Sequence, residues 1–186
     1  MEAIKKIELN KIAKIILVAV LGTLFLTISA KIKIPFYPVP MTMQTFMVLF
    51  LGITLGPKIG LLTISLYLFE GIFGLPVFAG TPEKGIGLIY FTGPTMGYLI
   101  GFLVAVYFAG SFKYDKGIIN TFLKLIFSIS FIYILGLIWL GTLIGWNKPI
   151  FKLGAEPFLL AELFKMLLLL FLTPTLLKVQ KLIKII

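Results

Sequence analysis

Three ionisable side chains fall inside or at the edge of long apolar stretches: Glu70, Glu162 and Lys165. A charge within a hydrocarbon core is costly, so such residues point to a function and to a nearby partner. Glu162 and Lys165 stand three apart, which on a helix puts them on one face, about 4.5 Å apart along the axis. Two readings follow. The pair is an intrahelical ion pair with a structural role, or it faces a cavity and binds a polar ligand. In the second reading Lys165 takes a carboxylate and Glu162 accepts N–H bonds. Glu70, near the end of an earlier apolar stretch, either snorkels to the interface or joins such a site.

Other chemistry finds little support. The chain has no Cys and no His, which removes thiol nucleophiles, disulfides and the usual zinc and iron–sulfur ligands. No metal and no cofactor is implied. Catalysis needs a nucleophile and base, a metal or an acid pair, and no second carboxylate is evident beside Glu162 and Lys165. The dipeptide Gly-Lys never occurs, so there is no Walker A loop and no ATPase signature.

The elements that must carry Glu162 and Lys165 are membrane helices. Of 186 residues 60% are hydrophobic and only 13% charged, whereas soluble domains run near 45–50% and about 25%. The excess fits lipid as the outer solvent. The net charge of +10 comes entirely from Lys. These lysines sit mostly between apolar runs, which favours a membrane surface over nucleic acid.

A bilayer core of about 30 Å needs roughly 20 helical residues. Six segments qualify, at 12–29, 41–55, 59–75, 93–111, 118–144 and 157–178. The expectation is an all-α integral membrane protein, one domain over residues 1–186, with six transmembrane helices and irregular outer loops. The breaker Leu55-Gly56-Pro57-Lys58 divides the second segment from the third. The first segment is of span length and no clear small-x-small cleavage site follows it, so it reads as a helix rather than a signal peptide. Placing both termini in the cytoplasm puts eleven lysines inside and five outside, with Lys165 within a span. That bias predicts a multi-pass protein of the plasma membrane with both termini cytoplasmic.

Two outer loops are apolar yet broken. The run from Lys33 to Pro40 contains Pro35, Pro38 and Pro40 among aromatic residues, and each Pro removes a donor and restricts the residue before it. The run from Leu75 to Gly80 is similar. Irregular apolar backbone at membrane depth is tolerated where protein buries it or a cavity is lined. These loops are interfacial anchors or a lid over a ligand pocket. Gly93, Gly97 and Gly101 stand four apart, continued by Ala105 and Ala109, and Ala19 and Thr23 make a weaker small pair. Such faces let helices approach closely in lipid. The first row suits packing inside the bundle, and the second suits packing or contact with another subunit.

The order of these motifs resembles the BioY family. The resemblance rests on Ile34 to Thr45, with its prolines and Gln44; on Gly71 to Gly80; on Thr92 to Phe102; on Tyr133 to Leu140; and on Pro157 to Lys165. It runs from about Ile12 to Lys178. It implies a six-helix substrate-binding (S) subunit of an energy-coupling factor transporter, specific for biotin and not itself an enzyme. The partners implied are a transmembrane coupling subunit and two cytoplasmic ATPases, and the lipid bilayer. The site residues implied are Glu162 and Lys165, with Phe36, Tyr37, Gln44, Phe78, Thr92 and Tyr98 as wall or hydrogen-bonding residues. This chain departs from the family in carrying Glu162 where Asp is usual, and in reducing the first-span alanine pattern to Ala19 and Thr23. Competing readings are an S subunit for another vitamin, a small membrane enzyme using Glu162 and Lys165, and a structural membrane subunit.

Overall fold

In a computed structural model, described over residues 2–34, 41–83 and 85–184, the long apolar runs are helices. Lipid offers backbone groups no partner, and a helix satisfies its N–H and C=O groups internally. Helix α1 spans Glu2–Lys31, α2 Gln44–Ile72, α3 Leu88–Phe91 and α4 Met96–Ser111. Helix α5 spans Gly117–Ile144, α6 Ile150–Gly154 and α7 Leu159–Lys184, with a 3-10 turn at Glu156–Phe158 before α7. Strands β1 (Lys33–Ile34) and β2 (Met41–Thr42) pair antiparallel, with Lys33 opposite Thr42. The expected wall residues Phe36 and Tyr37, and the prolines around them, lie outside the described residues.

Helix α2 holds two of the expected spans. Gly56 breaks it with φ 76° and ψ 176°, and Pro57 follows. Glycine enters that left-handed region without a Cβ penalty, and Pro suits the first turn of the limb that follows. The limbs then fold back on one another. Gln44 and Tyr67 are 23 residues apart, yet their side chains are hydrogen-bonded at 2.8 Å. Along a straight helix they would stand about 35 Å apart. Residues 44–55 and 57–72 therefore form an antiparallel hairpin, and with α1, α4, α5 and α7 they complete a six-helix membrane bundle. Limb 44–55 is about 18 Å long against a core of about 30 Å. A helix this short puts its polar start, Thr42 to Thr45, at bilayer depth.

Observed ends depart from the expected ones where caps and charges decide them. Helix α1 begins ten residues before position 12, and α7 runs on to Lys184. Both extensions are lysine-rich and extend past the apolar stretch. Helix α4 starts at Met96 rather than at 93, because Pro94 precedes it.

Small residues set the helix spacing. A Cβ on Gly97 would stand 2.4 Å from the Leu135 carbonyl oxygen, and one on Gly101 would stand 2.6 Å from Ile132 Cα. Both glycines thus seat α4 directly on α5. Further along, Ala105 and Ala109 are fully buried, and a Cβ on Gly52 would come within 2.9 Å of Ala109 Cβ, so the row continues onto α2. Gly93 is not part of that seam. It precedes the helix, and its carbonyl accepts a bond from Trp139 Nε1 at 2.9 Å.

Ala19 and Thr23 are 1% and 2% exposed. They turn inward, and the Thr23 hydroxyl reaches Glu70 Oε1 at 2.8 Å. This closes the subunit-contact reading of that pair in this conformation: the small side chains admit the second limb of α2 against α1. It also gives Glu70 an intrahelix-bundle partner rather than a place in a cavity. The opposite face of α1 exposes Ile16, Val20, Leu24 and Phe25, as expected of a lipid-facing stripe.

Candidate functional site

Helix α7 carries Glu162 in its first turn and Lys165 three residues on, and the two form an ion pair at 2.8 Å with 5% of each side chain exposed. Other helices complete the cluster. Thr45, in the first turn of α2, bonds both Glu162 oxygens at 2.9 Å. Tyr133, midway along α5, donates to Glu162 Oε1 at 3.0 Å. Lys165 Nζ also donates to the Thr45 hydroxyl at 3.1 Å. Thr45 thus accepts from Lys165 and donates to Glu162. A buried charge pair is tolerated when its remaining lone pairs and protons are satisfied, and three helices combine to satisfy this one. Among the described residues Lys165 uses two of its three N–H donors in this way.

The cluster lines a cavity of about 380 Å³. That lies within the roughly 300–1,000 Å³ usual for small-molecule sites. Its walls include Phe102, Ile132, Leu140, Ile144, Leu153 and Phe158, and its polar groups come from Thr42, Gln44, Thr45, Thr95, Tyr98 and Tyr133 as well as the ion pair. From Ile132 to Ile144 the lining runs along about 18 Å of α5. The charged pair sits beside Tyr133 at the deep end, and Leu140, Ile144 and Leu153 make the apolar end. Tyr98 donates to the Gly154 carbonyl at 2.8 Å, which ties the short α6 over the cavity. Trp139, bonded to Gly93, joins the start of α4 to α5.

The turn at residues 77–81 supplies Ala79 to the wall, and its carbonyls are held from three elements. Tyr67 donates to Val77 O at 2.9 Å and Tyr90 to Ala79 O at 2.8 Å. Lys31 donates to Phe78 O and Thr81 O at 2.9 Å and to the Thr81 hydroxyl at 3.1 Å. With its carbonyls bound this way the turn forms part of the cavity wall in this conformation.

Of the residues singled out in the sequence, Glu162, Lys165, Gln44 and Tyr98 line the cavity. Two others do not. Phe78 is 1% exposed and stacks on Tyr90 with ring centroids 4.7 Å apart. Its ring fills the notch left by Gly71, where a Cβ would overlap it, so it is core. Thr92 is exposed and bonds back to Ile89 O at 2.8 Å within its own turn. Thr45 and Tyr133 were not singled out. Tyr133 is the one tyrosine of the 118–144 stretch, which was the available signal for it; Thr45 is visible only once the helices are assembled.

The sequence profile of the BioY family matches residues 3–182. The chain belongs to the BioY family. Among its relatives, a probable biotin transporter BioY of Pyrococcus horikoshii is 37% identical over 139 residues, covering 75% of this chain and 81% of that protein. The biotin transporter BioY of Thermotoga maritima is 34% identical over 145 residues, covering 77% and 84%. The fold agrees with a solved structure of the S-component for biotin from an ECF-type ABC transporter, with a TM-score of 0.70, 27% identity, and coverage of 94% of this chain and 93% of that one. This BioY-family chain thus shares the S-component fold across nearly its whole length, as a multi-pass membrane protein.

Proposed function

We propose that the chain is the biotin-capturing S-component of an energy-coupling factor importer, binding the vitamin in the Glu162–Lys165 cavity. The observation that carries this is the buried ion pair at the deep end of an apolar slot. Glu162 and Lys165 stand 2.8 Å apart, so a ligand group that meets both offers a donor and an acceptor side by side. A carboxylate offers only acceptors and would be repelled by Glu162. The ureido ring of biotin offers N–H beside C=O: Glu162 accepts the N–H and Lys165 donates to the carbonyl. The thioether ring and valerate chain then lie along Leu140, Ile144 and Leu153, with the carboxylate toward the outer mouth. Thr45 and Tyr133 fix the Glu162 carboxylate in place.

The chain supplies no ATPase signature, so transport rests on a transmembrane coupling subunit and two cytoplasmic ATPases. Both termini lie in the cytoplasm of a plasma-membrane protein. Lysine placement supports this sidedness, since the helix ends near Lys58, Lys113, Lys116, Lys178 and Lys181 share one side of the bundle. The bond from Gln180 to the Ile53 carbonyl at 2.8 Å ties two of those ends together.

Radiolabelled biotin added to the purified chain tests the reading. Saturable binding that unlabelled biotin displaces, and other vitamins do not, is expected, with the ligand recovered intact. Displacement by a different vitamin, with biotin inert, would move the chain to another S-component specificity. A chemically altered ligand would make it an enzyme.

A further inference from the structure

A polar relay runs beside the ion pair, from the Val77 carbonyl through Tyr67 and Gln44 to Thr42. Tyr67 is 0% exposed, in the second limb of α2. Its hydroxyl hydrogen is committed to the Val77 carbonyl at 2.9 Å. The Tyr67 oxygen must therefore accept from Gln44, which donates through Nε2 at 2.8 Å. On its other side Gln44 Oε1 accepts from the Thr42 hydroxyl at 3.3 Å. This order of donors and acceptors removes the usual ambiguity between the O and N of a glutamine amide. A flipped amide would set its oxygen against the Tyr67 oxygen, and neither would have a hydrogen to give. Gln44 is 7% exposed and lines the cavity. Among the described residues two of its bonding positions are used, which leaves one amide N–H and one carbonyl lone pair. Thr45, the next residue, already binds Glu162 and Lys165.

We propose that Tyr67 is a positioning residue for Gln44, and that the amide it fixes reads the second N–H and carbonyl edge of a cyclic urea. A ureido ring has two N–H groups flanking one C=O. Glu162 and Lys165 engage one side, and an amide held in a single orientation complements the other, its oxygen accepting the second N–H and its N–H donating to the carbonyl. A primary amide free to flip would complement this edge only part of the time. The Val77 carbonyl, which orients Tyr67, belongs to the turn that also presents Ala79 to the cavity, so wall and amide are set by one tyrosine. This deepens the biotin reading and rests on it.

The test is a double-mutant cycle on biotin affinity, by calorimetry on detergent-purified protein. Gln44→Leu is expected to weaken binding by roughly ten- to a hundredfold and Tyr67→Phe by roughly tenfold. Because Tyr67 acts through Gln44, the double variant should bind no more weakly than Gln44→Leu alone. Losses that simply multiply would show that Tyr67 acts independently, through stability, and would overturn the proposal. So would unchanged affinity in Tyr67→Phe. If Tyr67→Phe does not fold, Gln44→Glu serves instead. A carboxylate has no N–H for the Tyr67 oxygen, so a loss of at least tenfold is expected; affinity equal to that of the native chain overturns the proposal. A native chain that binds no biotin at all would overturn the biotin reading and this inference with it, an outcome distinct from any of the variant results.

Discussion

Replacing Lys165 with Ala removes the one ammonium that lines the cavity among the described residues and leaves Glu162 buried. At 2.8 Å the bare attraction between the two charges is about 6 kcal/mol for an effective dielectric of about 20. The net loss is smaller, because Thr45 and Tyr133 still hold Glu162. Truncating one partner of a buried, hydrogen-bonded charge pair costs about 2–5 kcal/mol at a binding site. The expected effect on biotin is therefore a fall in affinity of roughly thirty- to several-thousand-fold. Calorimetry on the purified variant reads this directly, with circular dichroism and size-exclusion behaviour as controls for an intact bundle. Among the described residues Lys165 holds an N–H in reserve beyond Glu162 and Thr45, so the loss should exceed the change in thermal stability. A dissociation constant within threefold of the native value, in a folded variant, would refute the idea that Lys165 contacts ligand and would leave the ion pair a structural one.

The bundle itself makes further predictions. Gly97→Ala places a methyl 2.4 Å from the Leu135 carbonyl oxygen, and the overpacking should cost about 1–3 kcal/mol; a clear fall in melting temperature in detergent is expected, and an unchanged one would mean that α4 and α5 are not seated on each other as described. Lys31→Met releases two carbonyls and a hydroxyl of the 77–81 turn. Faster hydrogen exchange at the Thr81 amide, which bonds Phe78 O, is expected, and an unaltered rate would show that the turn holds itself. Because the chain has no Cys, single cysteines report sidedness cleanly. In intact cells Lys148→Cys should react with an impermeant maleimide and Lys58→Cys should not; the reverse pattern would invert the topology.

Much of this was legible in the sequence, for reasons that differ by element. Hydrophobic length located the membrane helices, since lipid leaves few alternatives to a helix for an apolar stretch of about 20 residues. The fold-back at Gly56 was readable because Gly followed by Pro at the end of an apolar run is a local signal. Glu162 and Lys165 stood out because a charge in such a span is rare. The rest depended on assembly. Phe78 reads as a wall residue in a broken apolar loop, but its destination is set by the notch at Gly71, which lies on another element. Ala19 and Thr23 read equally well as an inward or an outward face, because small side chains serve both, and only the burial of α1 against α2 decides. Thr45, Tyr133 and Tyr67 take their roles from partners 117, 29 and 23 residues away, which a local reading does not pair with them.

The most direct measurement is native mass spectrometry of the purified chain with whatever small molecule it retains from the cell. The biotin reading predicts one added mass equal to biotin per chain, lost in the Lys165→Ala protein and restored to the native chain by adding the vitamin. A retained molecule of another mass, which biotin cannot displace, or a native chain that stays bare in excess biotin, would contradict it.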